Sequence, residues 1–411
     1  MKHISEDILG TLSSELDGKT IVHCVTSSIS CFLAPKISRL LMRNGAKVIP
    51  VLSPEAAKFV HPMIFEWATG NEPIVTIEGK VEHVHYAGLS KEKADLILIA
   101  PITANSLSKI ANGIMDTSVT LMAGTALGNN IPMIIVPTMH EVMLYNPSVK
   151  ENIKKLEKMG VKVLMPLIEE EKAKIPSEEY IVNEVVKELT EKTFENTSVL
   201  VTAGPTRAYI DGIRFISNPS SGKMGFALAL EAWKKGAKVK VVYGATELSP
   251  EKNIEEKVKV ERPEEMYLEV LESLKKEKYD FVILAAAMND FAAEEIPDEK
   301  IKSKSEWLLK LKPVAKLADK IKEISPETTL VLFKAEYAKT DEELVEIAKQ
   351  RLEKAQADFI VANDVSVKKY GFASYQNRVA LISKDKEKVQ WFEGSKKEVA
   401  RKILENIRKK M

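Results

Sequence analysis

Two doubly wound α/β sheets, mostly parallel and set one after the other, are what this sequence predicts. Three observations carry that expectation. The chain has 411 residues, more than the roughly 250–300 over which one hydrophobic core usually grows. Short β-branched runs alternate with longer amphipathic stretches, the mark of βα units. The alternation then stops at a Glu- and Lys-rich stretch and starts afresh. The division falls near residue 190, giving domains 1–190 and 191–411.

In the first half, strands are expected at residues 20–25, 47–52, 95–100, 133–136 and 162–165. Most are nearly continuous in Val, Ile and Leu, as when helices cover both sheet faces. Residues 34–44 place apolar side chains at helical spacing, and Gly45 closes that helix. Residues 181–196, "IVNEVVKELTEKTFEN", read as a helix-forming stretch. New strands are expected at 199–201, 238–243, 281–285, 330–333, 359–361 and 379–382. The halves echo each other: "GAKVIPVL" at Gly45 recurs as "GAKVKVVY" at Gly236, and "ADLILIAP" as "YDFVILAAA". The shared physics of βα units explains this as well as common descent does. The charge run 169–174 and the tail 401–410 read as solvated helix or loop surface.

Composition removes several function classes. Lys and Arg number 60 against 59 Asp and Glu, which argues against a nucleic-acid protein held by bulk phosphate attraction. No apolar run approaches the roughly 20 residues of a membrane span, and the first residues lack the apolar core of a signal peptide. The two cysteines, Cys24 and Cys31, form no CxxC pair. They read as small buried hydrophobes in a reducing, cytoplasmic protein. Glutamine occurs only at positions 350, 356, 376 and 390 while Lys and Glu abound, a bias that fits a thermophilic source.

Open α/β sheets bind ligands at the carboxyl ends of their strands. After the first strand comes Thr26-Ser27-Ser28-Ile29-Ser30, and after the third Pro101-Ile102-Thr103-Ala104-Asn105-Ser106. Both bring hydroxyls and backbone N–H groups to a helix start, where a phosphate is favoured; the alternative is that Ser27 and Asn105 simply cap helices. Neither turn holds GxGxxG. All six histidines (His3, His23, His61, His83, His85 and His140) lie in the first 140 residues, so acid–base chemistry near neutral pH is expected in the first domain. His83 and His85 would face one way if extended, but nothing nearby completes a metal ligand set. In the second half, Gly204 follows the first strand, and Ser220-Ser221-Gly222-Lys223 resembles a phosphate loop without its GxxxxGKS spacing. Asp290 lies beyond the strand "FVILAAA", and Glu299-Lys300-Ile301-Lys302 follows. A carboxylate for magnesium and lysines for a triphosphate are what nucleotidyl transfer needs.

Together these strings resemble, over essentially the whole chain, the bifunctional phosphopantothenoylcysteine decarboxylase/phosphopantothenate–cysteine ligases of coenzyme A biosynthesis. "EHVHYAG" looks like that family's active-site histidine segment, "ADLILIAPITANSLSKIANGIMD" is similar to its flavin-binding stretch, and "VPTMHEVMLYNP" sits at its PxMN motif. "TAGPTRAYIDGIRFISNPSSGKMG", "AAAMNDF", "EKIKS", "FKAE" and "ANDV" match the ligase signature. The resemblance implies a flavodoxin- or Rossmann-like flavoprotein domain followed by a Rossmann-like ligase domain. The ligase would join 4′-phosphopantothenate to L-cysteine through an acyl-cytidylate made from CTP with Mg²⁺. The flavoprotein would then use FMN to oxidise the cysteine moiety, lose CO₂ and give 4′-phosphopantetheine in a redox-neutral cycle. By residue, it implies His83, Asn218 and Lys300 as catalytic, and Ser27, Ser53, Thr103, Asn105 and Asp116 on the FMN side. Met139, His140, Gly204, Ser220, Ser221, Lys223, Ala286, Asp290, Lys302 and Phe333 would bind substrate or nucleotide. A homo-oligomer is also implied, trimeric or dodecameric through the flavin domain and dimeric through the ligase.

Two departures stand out. His140 replaces the PxMN asparagine, and an imidazole can still donate to a substrate carboxylate. The flap cysteine of many bacterial members has no counterpart in "LMPLIEEEKAKIPSEEY", so the proton comes from another acid, such as Lys174 on that loop, or from solvent. A two-domain NAD-dependent dehydrogenase and a non-catalytic flavin protein are the competing readings. The missing GxGxxG and the histidine-free second half weigh against the first, and the Asn218–Lys300 set against the second.

Overall fold

The computed structural model describes residues 3–169, 172–297, 299–302, 306–337, 340–371, 374–385 and 389–409. The chain divides into two compact units, Met1–Thr190 and Glu191–Met411. Each is a doubly wound α/β sheet, as expected from the alternation of runs.

In the first unit, β1 (Thr20–Val25), β2 (Lys47–Leu52), β3 (Leu96–Ile102) and β4 (Met133–Pro137) are joined at the edge by the short strand Lys162–Val163. The order is β2-β1-β3-β4 followed by 162–163, all parallel. Alternate residues serve opposite cores. Val22, Cys24, Ile97 and Ile99 join one buried cluster, while Ile21, Leu96, Leu98 and Ala100 join the other. Both faces are therefore apolar, which is why these strands read as unbroken hydrophobic runs. Cys24 and Cys31 are free thiols buried in this interior.

His23 sits in β1 with its ring fully buried. Its Nε2 lies 2.9 Å from the Ala100 carbonyl, which can only accept, so Nε2 carries the proton and Nδ1 faces the Ser38 hydroxyl at 2.8 Å. Burial lowers its pKa to about 4, against a smaller upward pull from the Ala100 carbonyl. The unfolded chain binds a proton near pH 6.5 and the folded one does not. Stability is therefore complete above pH 6.5 and is lost as pH falls towards 4, by about 3 kcal/mol in all. Urea titrations of the first unit between pH 7 and 4 should show this slope, and His23→Leu should flatten it. An unchanged slope in that variant would mean other groups drive the acid sensitivity.

The second unit has eight strands in the order Glu256–Lys259, Lys238–Tyr243, Ser198–Ala203, Phe281–Leu284, Thr329–Glu336, Phe359–Asp364, Gln376–Ser383 and Val389–Ser395. The first six run parallel, and the last two are added by antiparallel pairing, Gln376–Ser383 running against both its neighbours. Helix Lys223–Lys234 crosses from strand Ser198–Ala203 to strand Lys238–Tyr243. Gly225 lets it approach closely, because a Cβ there would lie 2.6 Å from Ala203 Cβ and 2.9 Å from the Thr202 carbonyl. The terminal helix Lys396–Lys409 buries Val399, Ala400, Ile403, Leu404 and Ile407 against the same core. The basic tail is thus only the outer face of an amphipathic helix.

Several expectations need correction. The stretch 181–196 is helical only as Glu178–Leu189. Thr190 turns extended (φ −87°, ψ 140°), and Phe194 inserts into the second unit's core against Phe281, ring centroids 5.2 Å apart. Burying that ring wins over continued helix. Of the charge run 169–174, Glu169 and Lys172–Lys174 lie in strands: Leu167–Glu169 pairs antiparallel with Lys172–Lys174, which also pairs with Met139–His140, while residues 170 and 171 lie outside the described residues. The His83–His85 segment is not extended but lies in helix Glu82–Ala87. There, positions two apart diverge by roughly 200°. Among the described residues no helix is long and apolar enough to cross a membrane.

Candidate functional site

The first unit's strand order places a topological switch point between β1 and β3, where sheets of this order take ligands. Four turns meet at that carboxyl edge: Ser27 after β1, Ser53 after β2, Thr103 and Asn105 after β3, and Thr138 to His140 after β4. Capping is done by neighbours of two expected residues. Ser28 caps the 3₁₀ turn Ile29–Leu33, and Thr103 caps helix Ala104–Ala111 by accepting from Ser106 N at 3.3 Å. Ser27 and Asn105 cap nothing. Ser53 Oγ accepts from Ala56 N at 3.2 Å, in the turn just before helix Ala56–Phe59. Asp116 is paired with Lys109 at 2.6 Å, and that ammonium holds its carboxyl below the usual range.

Sequence reasoning missed Thr138. Its hydroxyl is buried with no hydrogen-bond partner among the described residues, although its position directly after β4 was a signal. An orphaned buried hydroxyl at the carboxyl end of β4, where the Thr138 N donates to the Ile102 carbonyl at 3.0 Å, suits a polar ligand of FMN's kind. His83 lies on another element, the short helix Glu82–Ala87. It is half-buried, with no hydrogen bond or ion pair among the described residues. Val81, Val84 and Leu89 around it are exposed. His140 is exposed at the start of helix Glu141–Leu144. The Lys174 side chain lies outside the described residues.

In the second unit the switch point lies between strands Ser198–Ala203 and Phe281–Leu284. A cavity of about 320 Å³ opens there, lined by the expected residues Asn218, Ser220, Ser221, Lys223, Ala286, Asp290 and Phe333. Hydrogen bonds join its distant segments. Asn218 Nδ2 donates to the carbonyls of Ala287 and Met288 at 3.1 and 3.2 Å. Thr206 Oγ1 donates to Asn289 Oδ1 at 2.7 Å, and Asn289 Nδ2 to Ile216 O at 3.1 Å. The loop 215–222 is thereby fixed against the end of strand Phe281–Leu284. Gly222, at φ 76°, caps the following helix in a left-handed conformation that a side chain would resist.

Charge is unevenly placed. Lys223, Lys316, Lys334, Arg351 and Lys396 line the cavity, while Asp290 is the one carboxylate among the described lining residues. Asp290 is ion-paired with Lys316, Arg351 with Asp319 at 2.7 Å and Lys334 with Glu336 at 2.7 Å. Such a cavity favours a polyanion. Lys316, Arg351, Lys396 and Asn377 were missed, because each reads locally as ordinary surface or strand. Gly204, Lys300 and Lys302 do not line the cavity. Gly204 shapes the turn beneath it at φ 75°. Lys300 and Lys302 are exposed on a segment held at Ile301, whose N donates to Asp211 Oδ2 at 3.3 Å and whose carbonyl accepts from Arg214 Nη2 at 2.9 Å. Asp211 is fully buried. The Arg214 side chain, then backbone N–H groups, keep its carboxyl well below the usual range.

Comparison with known proteins adds a family to this geometry. Residues 9–190 match the Flavoprotein family, and residues 194–411 match the DNA/pantothenate metabolism flavoprotein C-terminal domain. The coenzyme A biosynthesis bifunctional protein CoaBC of Thermococcus kodakarensis is 44% identical over 410 residues, covering 100% of both chains. That of Methanocaldococcus jannaschii is 37% identical over 409 residues, covering 99% of this chain and 98% of its own. That of Bacillus subtilis is 33% identical over 413 residues, covering 95% and 97%. The resemblance read from the motifs thus extends over the full length, and the chain belongs to the family of CoaBC bifunctional proteins of coenzyme A biosynthesis.

Proposed function

We propose that residues 191–411 ligate 4′-phosphopantothenate to L-cysteine at the expense of CTP, and that residues 1–190 decarboxylate the product to 4′-phosphopantetheine. The observation that carries the ligase reading is the cation-lined cavity at the second switch point, with Asn218 anchored in its wall. The substrate carboxylate attacks the α-phosphorus, pyrophosphate leaves, and cysteine's amine then displaces CMP to form the amide. Lys223, Lys316, Arg351 and Lys300 neutralise the charge that builds on the phosphates. Mg²⁺ would travel with the triphosphate, and Asp290, which lines the cavity, would be the carboxylate to meet it. The Asn218 amide oxygen accepts from the attacking amine, its nitrogen being committed to the loop.

In the first unit, Ser27, Ser53, Thr103, Asn105 and Asp116 hold FMN, with Thr138 offering its orphaned hydroxyl. When bound, FMN supplies the two-electron exchange that makes CO₂ loss possible without an external oxidant. His83 holds or delivers the proton at the reacting thiol side, and His140 donates to the substrate carboxylate. The exposed apolar surface at Ile29, Phe32, Phe59 and Trp67 supports a homo-oligomer, and the free thiols suit the reducing cytoplasm. The test is one assay with two readouts. Phosphopantothenate, cysteine, Mg²⁺ and CTP should release pyrophosphate, and the FMN-loaded protein should then release CO₂. No pyrophosphate with CTP, ATP or GTP would refute the ligase half. A protein that stays colourless with added FMN would refute the other.

A further inference from the structure

One wall of the second unit's cavity is made of three elements that the sequence keeps far apart. They are the start of helix Lys223–Lys234, the strand Gln376–Ser383 and the start of helix Lys396–Lys409. Lys223 and Lys396 are each the first residue of their helix, and both line the cavity. A helix start carries partial positive charge, so lysine is among the least favourable residues to place there. Here two lysines occupy two such starts on neighbouring, packed helices. Lys223 Nζ lies 3.6 Å over the Tyr375 ring. Lys396 is only 8% exposed. Burial, followed by the charge of Lys223, lowers its pKa to about 8. The second helix is closed by its own cap, Ser395 N donating to Glu398 Oε2 at 2.8 Å and Glu398 N to Ser395 Oγ at 3.3 Å.

Asn377 supplies an independent sign of a ligand. It is 5% exposed, lines the same cavity, and its Oδ1 is buried without a hydrogen-bond partner among the described residues. Among the described residues its Nδ2 reaches only the Met224 sulfur, at 3.9 Å. A buried amide oxygen left without a donor is costly, and the open cavity is where a donor can enter.

We propose that Lys396, Lys223 and Asn377 form a phosphate-binding subsite, the lysines taking a phosphate dianion and Asn377 accepting from a hydroxyl or N–H of the same ligand. The assignment rests on the ligase reading of this unit. Both phosphorylated substrates carry that chemistry: the phosphomonoester of 4′-phosphopantothenate with its hydroxyl and amide, and the triphosphate of CTP with its ribose hydroxyls. Lys396→Met keeps the side chain's length and apolar stem while removing its charge, so the buried position stays filled. Pyrophosphate release is measured with each substrate varied in turn. Loss of one charge-assisted bond should raise one KM roughly 10- to 100-fold while kcat stays within a few-fold. Lys396→Arg should recover most of it, and Asn377→Ala should raise the same KM. A rise confined to phosphopantothenate assigns the subsite to the phosphomonoester, and one confined to CTP assigns it to the nucleotide. Both KM values unchanged in a Lys396→Met protein of normal thermal midpoint would overturn the subsite, as would a fall in kcat alone. A wild-type protein that releases no pyrophosphate would instead defeat the ligase reading. Calorimetry with inorganic phosphate then decides the subsite separately, since the wild type must bind phosphate and Lys396→Met must not.

Discussion

Replacing His83 by asparagine is expected to abolish CO₂ release from 4′-phosphopantothenoylcysteine while pyrophosphate release continues at the wild-type rate. Asparagine keeps much of the size and hydrogen-bonding capacity of histidine but cannot exchange a proton near neutral pH. A positioned acid–base group contributes roughly 10²- to 10⁴-fold, and a loss in that range is the expected result. The location makes the substitution clean. His83 is half-buried on the short helix Glu82–Ala87 and has no hydrogen bond or ion pair among the described residues, so no structural contact is broken. Its chemistry is also isolated from the ligase, because all six histidines lie in the first unit. The variant should keep its thermal midpoint and its yellow colour with FMN. CO₂ release within tenfold of wild type would remove His83 from the reaction. A parallel loss of both activities in a folded protein would show that the labour is not divided between the units.

Much of the fold was legible because burial on both sheet faces imposes continuous apolar runs. Val22, Ile97 and Ile135 on one face and Ile21, Leu98 and Ile134 on the other leave the sequence no polar position to hide the strand. Elements decided by tertiary contact were not legible. Phe194 pulls the chain out of a helix that Glu and Lys propensity would have continued. The strand Glu256–Lys259 lies at the sheet edge, and its alternating exposure makes it resemble a loop. The pair His83–His85 has neither the length nor the caps of a recognisable helix, and Val81 before it adopts a left-handed φ of 47°. The loop Asn218 to Lys223 was readable because its small residues and hydroxyls have no packing role. Arg351 and Lys396 were not, since each sits on a helix whose remaining charges are ordinary solvent-facing ones. Only the fold reveals that their particular turn meets the cavity.

Lys300 poses the sharpest test, because it is expected in the reaction yet does not line the cavity. Lys300→Gln should lower pyrophosphate release by roughly 10²- to 10³-fold, the usual loss when one group aimed at developing charge is removed. CO₂ release from added phosphopantothenoylcysteine should be untouched. The reason to expect so much from an exposed side chain is the mounting of its segment. Ile301 is gripped on both sides, its N–H by Asp211 and its carbonyl by Arg214, while Asp211 also takes the backbone N–H of Ile213 at 2.9 Å and of Arg214 at 2.7 Å. A buried carboxylate committed to five nitrogen donors fixes where Lys300 and Lys302 begin, leaving only their side chains to reach the phosphates. Asp211→Asn keeps the shape but weakens the hold, so it should cost roughly tenfold by letting the segment wander. Its effect should then vanish in the Lys300→Gln background, because two residues acting through one ammonium group are not additive. Fully additive losses would mean that Asp211 serves the site by another route. Unchanged triphosphate turnover in Lys300→Gln would mean that the phosphates are held by Lys223, Lys316, Arg351 and Lys396 alone, with the 299–302 segment only a rim to the cavity.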